Sequence, residues 1–258
     1  MSMRKLFAAF ALTLLLAACA TPNAPTPPPA STATSKPQTP DDDAGMGRRL
    51  EQAGRLVQAR KSAEALPLLD EVIAHFERKY RNGTERAYSA RSPAESLLYL
   101  LEASKAQPPI GARVYAATWG QAYFLKGYAL VELLRLDDAK AALTSAIDLA
   151  PHNSQYRSER GQIYAYQRDW RTSLQEFRAA RDAAEFTPPE LKNRELTRAL
   201  RGMAFAEVEL QNLDEAEAIH KRVLQIDPDD AISLKELRYI RSLRLRRNAP
   251  ANPNLKQI

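Results

Sequence analysis

The chain has 258 residues, with 37 Lys or Arg against 31 Asp or Glu, so its formal net charge at pH 7 is +6. A single cysteine excludes an intramolecular disulfide, and three dispersed histidines have no metal-ligand spacing. The sequence also contains no glycine-rich phosphate loop and no nucleophile motif. We therefore expect a protein that is not an enzyme and that has no catalytic residue, metal site or cofactor.

Residues 1–18 have the pattern of a secretory signal peptide. Arg4 and Lys5 form a positive start, and an apolar stretch of eleven residues runs from Leu6 to Leu16. A helix needs about 20 apolar residues to cross a bilayer, so this stretch is too short to be a transmembrane anchor. Cys19, the only cysteine, follows directly.

The sequence Leu16-Ala17-Ala18-Cys19 resembles a bacterial lipobox. The resemblance implies that Cys19 receives a diacylglyceryl thioether and becomes the first residue after cleavage. Lipoproteins retained at the inner membrane tend to carry an aspartate at the next position, which is Ala20 here. In a Gram-negative cell the resemblance therefore implies a lipid-anchored protein on the periplasmic face of the outer membrane. The alternative is an ordinary signal peptide cleaved nearby, which would leave Cys19 as a free thiol.

Residues 19–43 are predicted to be a disordered tether. Between Ala20 and Pro40 the chain has seven prolines, seven Ser or Thr residues and no large apolar side chain. Such a segment cannot bury enough apolar surface to offset the entropy of ordering it. In a polyproline conformation it would reach up to roughly 60 Å. Asp41, Asp42 and Asp43 then suit the start of a first helix.

From residue 44 to 234 the sequence predicts an all-α domain. Glycine is scarce, β-branched alternation is rare, and apolar residues recur every three or four positions, as in Leu69, Val72, Ile73 and Phe76. We expect helix throughout.

The helical region also repeats with a period of 34 residues. Gly127 and Gly161 are 34 apart, and so are Leu143 and Phe177. This period, with small residues where two helices would pack closely, resembles the tetratricopeptide repeat (TPR). The resemblance implies a solenoid of about four to five antiparallel helix pairs with a C-terminal capping helix.

Two departures from the period predict insertions. Ser173 and Ala216 are 43 residues apart, which places nine extra residues near the prolines Pro188 and Pro189. Ala65 and Ala139 are 74 apart, which suggests a hidden, degenerate repeat near residues 80–110. Its second helix would begin with a capping box of Ser92, Pro93 and Glu95, after an irregular segment from Tyr80 to Arg91.

The resemblance also implies a binding groove, because the first helix of each TPR lines the concave face. In the register of the family the inward positions are Gln121, Phe124, Tyr128, Gln155, Ser158, Gln162, Tyr166, Arg198, Arg201 and Phe205. Aromatic, amide and cationic side chains together suit an extended peptide or a partner helix. The alternatives are that these residues only solvate the groove, or that a helix C-terminal to them fills it. The irregular segment with Tyr80, Tyr88 and Arg91 is a second candidate surface.

Residues 235–258 are predicted to form a basic capping helix and tail, with seven basic residues and one acidic residue. Leu234, Leu237, Ile240 and Leu243 supply an apolar stripe that would seal the last repeat. The alternative is that the arginines contact anionic lipids or an acidic partner.

Together these features predict a membrane-anchored periplasmic adaptor that binds proteins or extended peptides of the cell envelope, and no nucleic acid. The alternatives are a cell-envelope enzyme with an unrecognised site and an anionic-lipid-binding module. The sequence determines neither the partner nor the oligomeric state.

Overall fold

The computed structural model describes residues 43–81 and 84–248. The predicted signal peptide, Cys19 and nearly all of the predicted tether lie outside these residues. The elements in chain order are α1 (Asp43–Gln58), α2 (Ser62–Tyr80), β1 (Arg86–Ala90), α3 (Pro93–Lys105), β2 (Ala112–Ala116), α4 (Thr118–Glu132), α5 (Leu136–Leu149), α6 (Ser154–Tyr166), α7 (Trp170–Ala183), a 3-10 turn (Ala184–Phe186), α8 (Pro189–Glu209), α9 (Leu213–Ile226) and α10 (Ala231–Asn248).

Four antiparallel helix pairs form the body of the described structure: α1 with α2, α4 with α5, α6 with α7, and α8 with α9. Each second helix also packs against the first helix of the next pair. This continuous stacking is a helical solenoid, as the 34-residue period predicts. The helices approach closely where small residues replace larger ones: a Cβ added to Gly127 would lie 2.7 Å from the side chain of Leu143.

The four turns within the pairs share one backbone geometry. In each turn the second residue after the first helix has a positive φ near 60°, although none of the four is a glycine; these residues are Arg60, Leu134, Arg168 and Gln211. The next amide then donates to a carbonyl five residues earlier, as Arg135 does to Leu130 at 2.9 Å. This is the Schellman ending of a helix. The turns therefore mark four equivalent repeats.

The predicted degenerate repeat near residues 80–110 is wrong. That region forms a β-α-β unit in which β1 and β2 pair in parallel, from Arg86 opposite Ala112 to Ala90 opposite Ala116. Helix α2 packs directly on α4, so the unit loops out between the first and second pairs. The expectation of helix throughout fails here, because each strand has only five residues and shows no regular alternation of buried and exposed positions.

The start of α3 agrees with the sequence prediction. Pro93 is its first residue, and the side chain of Ser92 accepts a hydrogen bond from the amide of Glu95 at 3.2 Å. Glu95 accepts from the amide of Arg91 at 2.7 Å, one residue earlier than a standard capping box requires. The cap thus also ties the end of β1 to the helix.

The two strands of the β-α-β unit lie between α3 and the solenoid. On one face, Tyr88 stacks on Tyr99 of α3 at 5.0 Å between ring centroids. On the other face, Tyr115 contacts Tyr80 of α2 at 4.1 Å. The hydroxyl of Ser89 also accepts a hydrogen bond from the amide of Gly120 at 3.2 Å, at the start of α4.

The two ends of the last repeat agree with the predicted insertion and cap. The extra residues near Pro188 form the 3-10 turn and lengthen α8 to 21 residues. Helix α10 begins at Ala231, four residues before the predicted boundary at 235, and buries Ile240 against the α8–α9 pair. Residues 249–258 lie outside the described part of the chain.

Candidate functional site

The first helices of the pairs lie on the inner side of the solenoid. Helix α4 contacts α1 and α6, and α6 also contacts α8, whereas the second helices make few or no contacts with one another. A stack whose first helices are closer together curves toward them. The concave face is therefore formed by α1, α4, α6 and α8, which carry all ten residues predicted to line the groove.

Apart from the two arginines, six of those ten residues are at least partly accessible to solvent. Gln121 is exposed, and the others are half-buried; they are Tyr128, Gln155, Gln162, Tyr166 and Phe205. Phe205 rests edge-on against Trp170 of α7 at 5.8 Å. Helices α4 and α6 thus each present aromatic and amide side chains, and α8 adds an aromatic one.

Two predicted groove residues are buried instead. Phe124 is 4% exposed because its ring stacks on Tyr156 at 5.1 Å. Ser158 is 1% exposed, and its hydroxyl oxygen has no hydrogen-bond partner among the described atoms. The register of the family places both positions inward, but here Tyr156 of α6 packs on the ring of Phe124, and Ser158 is buried as well. Neither side chain presents a binding surface.

The two predicted arginines are held in ion pairs. Arg198 pairs with Glu159 of α6, and Arg201 pairs with Asp230 at 2.8 Å. Asp230 also accepts from the amide of Ser233 at 2.7 Å and so caps α10. Arg201 therefore joins α8 to the terminal helix, whereas Arg198 joins two helices of the concave face.

Glu159 is a feature of the concave face that the sequence analysis missed. Its side chain is buried, and this burial raises the pKa of the carboxyl group against the opposing effect of Arg198. Burial raises the pKa values of Tyr128 and Tyr166. The negative charge of Glu159 adds to this effect at both tyrosines, and Glu132 adds more than Glu159 does at Tyr128. The repeat spacing gives no signal for Glu159, because the residue 34 positions earlier is the buried Leu125.

The second surface considered from the sequence is mostly internal. Tyr88 is 7% exposed, and Tyr80 donates a hydrogen bond to Asp43 at 2.5 Å. Arg91 lies between two carboxylates, with Glu95 at 2.6 Å and Glu195 of α8 at 2.7 Å. Because Glu195 lies near the start of α8, Arg91 fixes the β-α-β unit across the edge of the solenoid. These side chains therefore hold the unit in place.

The three histidines have separate structural contacts. His75 pairs with Asp43 at 2.8 Å, His152 with Glu102 at 2.8 Å, and His220 with Ser233 at 3.0 Å. Within residues 43–81 and 84–248, no group of three or more His, Cys, Asp or Glu residues is arranged to hold a metal ion. Over the same residues, no helix has the length and apolar character needed to span a membrane.

Residues 120–153, which cover most of α4, all of α5 and the turn to α6, match the tetratricopeptide repeat family. A solved structure from Podosopora anserina, described as a kinesin light chain with nearly identical TPR-like repeats, is 13% identical and has a TM-score of 0.55. The match covers 80% of this chain and 89% of that one. MamA from Desulfovibrio magneticus RS-1, from residue 41 to its end, is 13% identical with a TM-score of 0.51, over 79% of this chain and 86% of its own.

No curated protein sequence matches the chain. At 13% identity the structural likeness establishes the fold alone. The fold is an all-α helical solenoid of the TPR type, interrupted by one β-α-β unit. Proteins of this architecture generally act through protein–protein contacts rather than through catalysis.

Proposed function

We propose that this protein is a membrane-anchored periplasmic adaptor, whose concave face binds an extended peptide or a helix of a cell-envelope protein. The observation that carries the proposal is the accessible set on α4, α6 and α8, centred on Tyr128, Gln162 and Tyr166. Amide side chains can hydrogen-bond a peptide backbone, and tyrosine rings supply rigid contact area at little entropic cost.

The ion pair between Glu159 and Arg198 would position these aromatic groups. It links α6 to α8, and both partners are mostly buried. A groove whose walls are fixed before binding loses less conformational entropy when its ligand arrives. We therefore expect the ion pair to hold the groove in its binding conformation, and the tyrosines to contact the ligand directly.

A matched pair of tyrosines in α6 tests the groove. Tyr164 and Tyr166 are both half-buried, but Tyr164 lies beside Lys140 of α5, outside the concave set. Tagged protein is crosslinked in cells and its partners are identified by mass spectrometry. We expect Tyr128→Ala combined with Tyr166→Ala to lose partners that Tyr164→Ala retains. Unchanged partners in the double variant, with its fold intact by circular dichroism, would show that the groove is not the binding surface.

The anchor is tested separately at Cys19. With Cys19→Ser we expect no incorporation of labelled fatty acid and release of the protein from the membrane fraction. The groove variants should remain labelled and membrane-bound, so a failure of the anchor and a failure of the groove are distinguishable. A Cys19→Ser protein that stays fully membrane-bound would remove the lipid anchor from the proposal.

A further inference from the structure

Helix α10 ends the solenoid and turns one face away from it. Its inner side buries Ser233 and Ile240, and Leu243 packs beside them. No described helix covers the opposite side. The exposed residues of that outer face are Leu234, Lys235, Arg238, Tyr239, Arg241, Leu245 and Arg246.

The charge of this outer face is not neutralised within the described part of the chain. Lys235, Arg238 and Arg241 form no ion pair with a carboxylate there. Arg244, on the flank of the helix, instead forms ion pairs with the carboxylates of Asp214, at 2.5 Å, and of Glu217. Glu236, the single acidic residue of α10, is half-buried, and burial raises its pKa. The outer face is therefore cationic at neutral pH.

Exposed apolar residues alternate with these cations along one stripe. Leu234, Arg238, Arg241 and Leu245 follow one another at spacings of four, three and four residues, which places them on the same side of a helix. Leu245 is 68% exposed and Leu234 is 40% exposed. Arginine can lay its alkyl stem on an apolar surface while its guanidinium group stays at the polar boundary. Such a stripe suits a surface that is anionic outside and apolar beneath.

We propose that the outer face of α10 binds the surface of an anionic lipid membrane. A lipid surface fits better than an acidic peptide because α10 is the terminal described helix, so no neighbour forms a groove with its outer side. A helix of 18 residues offers a straight contact about 27 Å long to a flat partner. Lipid headgroups would pair with the cations while Leu234 and Leu245 reach the acyl boundary.

Vesicle sedimentation tests this proposal without the acyl anchor. The core clusters use residues from Met46 onward, so a chain that begins at Ala20 retains the whole described fold. We expect this chain to sediment with vesicles that contain phosphatidylglycerol in phosphatidylcholine, and to dissociate from them as the salt concentration increases. It should not sediment with vesicles of phosphatidylcholine alone. Arg238→Glu with Arg241→Glu should weaken binding by about twenty-fold or more.

The matched control reverses two exposed arginines at the opposite end of the solenoid. Arg48→Glu with Arg55→Glu changes the net charge equally and should leave binding within about three-fold of the parent chain. Leu245→Ser, which changes no charge, should weaken binding on its own. Failure of the parent chain to prefer anionic vesicles would overturn the proposal, as would equal losses in the two arginine pairs. Binding to polyglutamate but not to vesicles would also overturn it, in favour of an acidic protein.

Discussion

Gly202 of α8 lies directly against the ring of Phe177 of α7, so that a Cβ on residue 202 would overlap three ring carbons. The contact joins the third helix pair to the fourth. Phe177 is 2% exposed and belongs to the same apolar cluster as Leu200 and Met203. The absence of a side chain at one residue therefore determines how closely two repeats approach.

We expect Gly202→Ala to lower the free energy of unfolding by about 1–3 kcal/mol, because the ring must move within a close-packed cluster. Urea unfolding followed by circular dichroism measures the change. Gly47→Ala in α1 is the control, because a Cβ there meets nothing within 4 Å. Removing a helical glycine should stabilise that variant by up to about 1 kcal/mol. Destabilisation of both variants alike would contradict the packing explanation.

Arg91→Ala should destabilise the protein by about 3–5 kcal/mol, because it leaves Glu95 and Glu195 buried without their counter-charge. The β-α-β unit should open first. Hydrogen exchange of the amides from Ala112 to Ala116 measures this opening. In the variant, the exchange rate of these amides should increase more than that of the α4 amides. Replacing both glutamates by Gln in the same variant should restore part of the stability. No recovery would mean that the arginine acts mainly through packing.

His220 should make the protein sensitive to mild acid. Burial lowers the pKa of His220 to about 4, below the value of 6.5 expected in the unfolded chain. The unfolded state therefore binds more protons between these values, and stability falls as the pH decreases from about 6.5 to 4. The loss should be on the order of 2–3 kcal/mol.

The His220→Phe variant isolates that effect. The equivalent residue of the preceding repeat is Phe177, so the ring should be accommodated, although the bond to Ser233 is lost. We expect a midpoint in urea near that of the parent at pH 7.5 and a smaller decrease at pH 5. A parallel decrease in both proteins would place the acid sensitivity elsewhere.

Asp43→Asn should remove a stabilising contact at the start of α1. Burial alone would raise the pKa of Asp43, but hydrogen bonds from Lys79, Tyr80 and His75 outweigh it and lower the pKa to about 2. A depressed carboxyl pKa contributes stability above about pH 4 that is lost as the pH falls toward 2. Because the side chain is 43% exposed, we expect only about 1 kcal/mol at pH 7.

Thermal unfolding of the two proteins across this pH range measures the difference. The curves for Asp43→Asn and the parent should converge as the pH approaches 2. A constant difference down to that pH would mean that the carboxylate charge is not the cause.

The sequence located the repeats through the spacing of small and apolar residues, because close helix packing leaves a local pattern. The exposure of a side chain was harder to predict where it depends on a neighbouring helix. Phe124 and Ser158 occupy inward positions in the register of the family, yet Tyr156 packs on the ring of Phe124 and both residues are buried. Register predicts the direction of a side chain, whereas its exposure depends on what packs next to it.

The sequence by itself determined the helical repeats, the cap at Ser92 and the position of the terminal helix, because these depend on contacts within a few residues or on a fixed period. Only the tertiary structure decided that residues 86–116 form a β-α-β unit and that Arg91 joins it to Glu195, 104 residues away. Pairing in a parallel sheet and burial of an ion pair depend on partners distant in the chain. Their energy comes from desolvation and long-range contact, which no local pattern encodes.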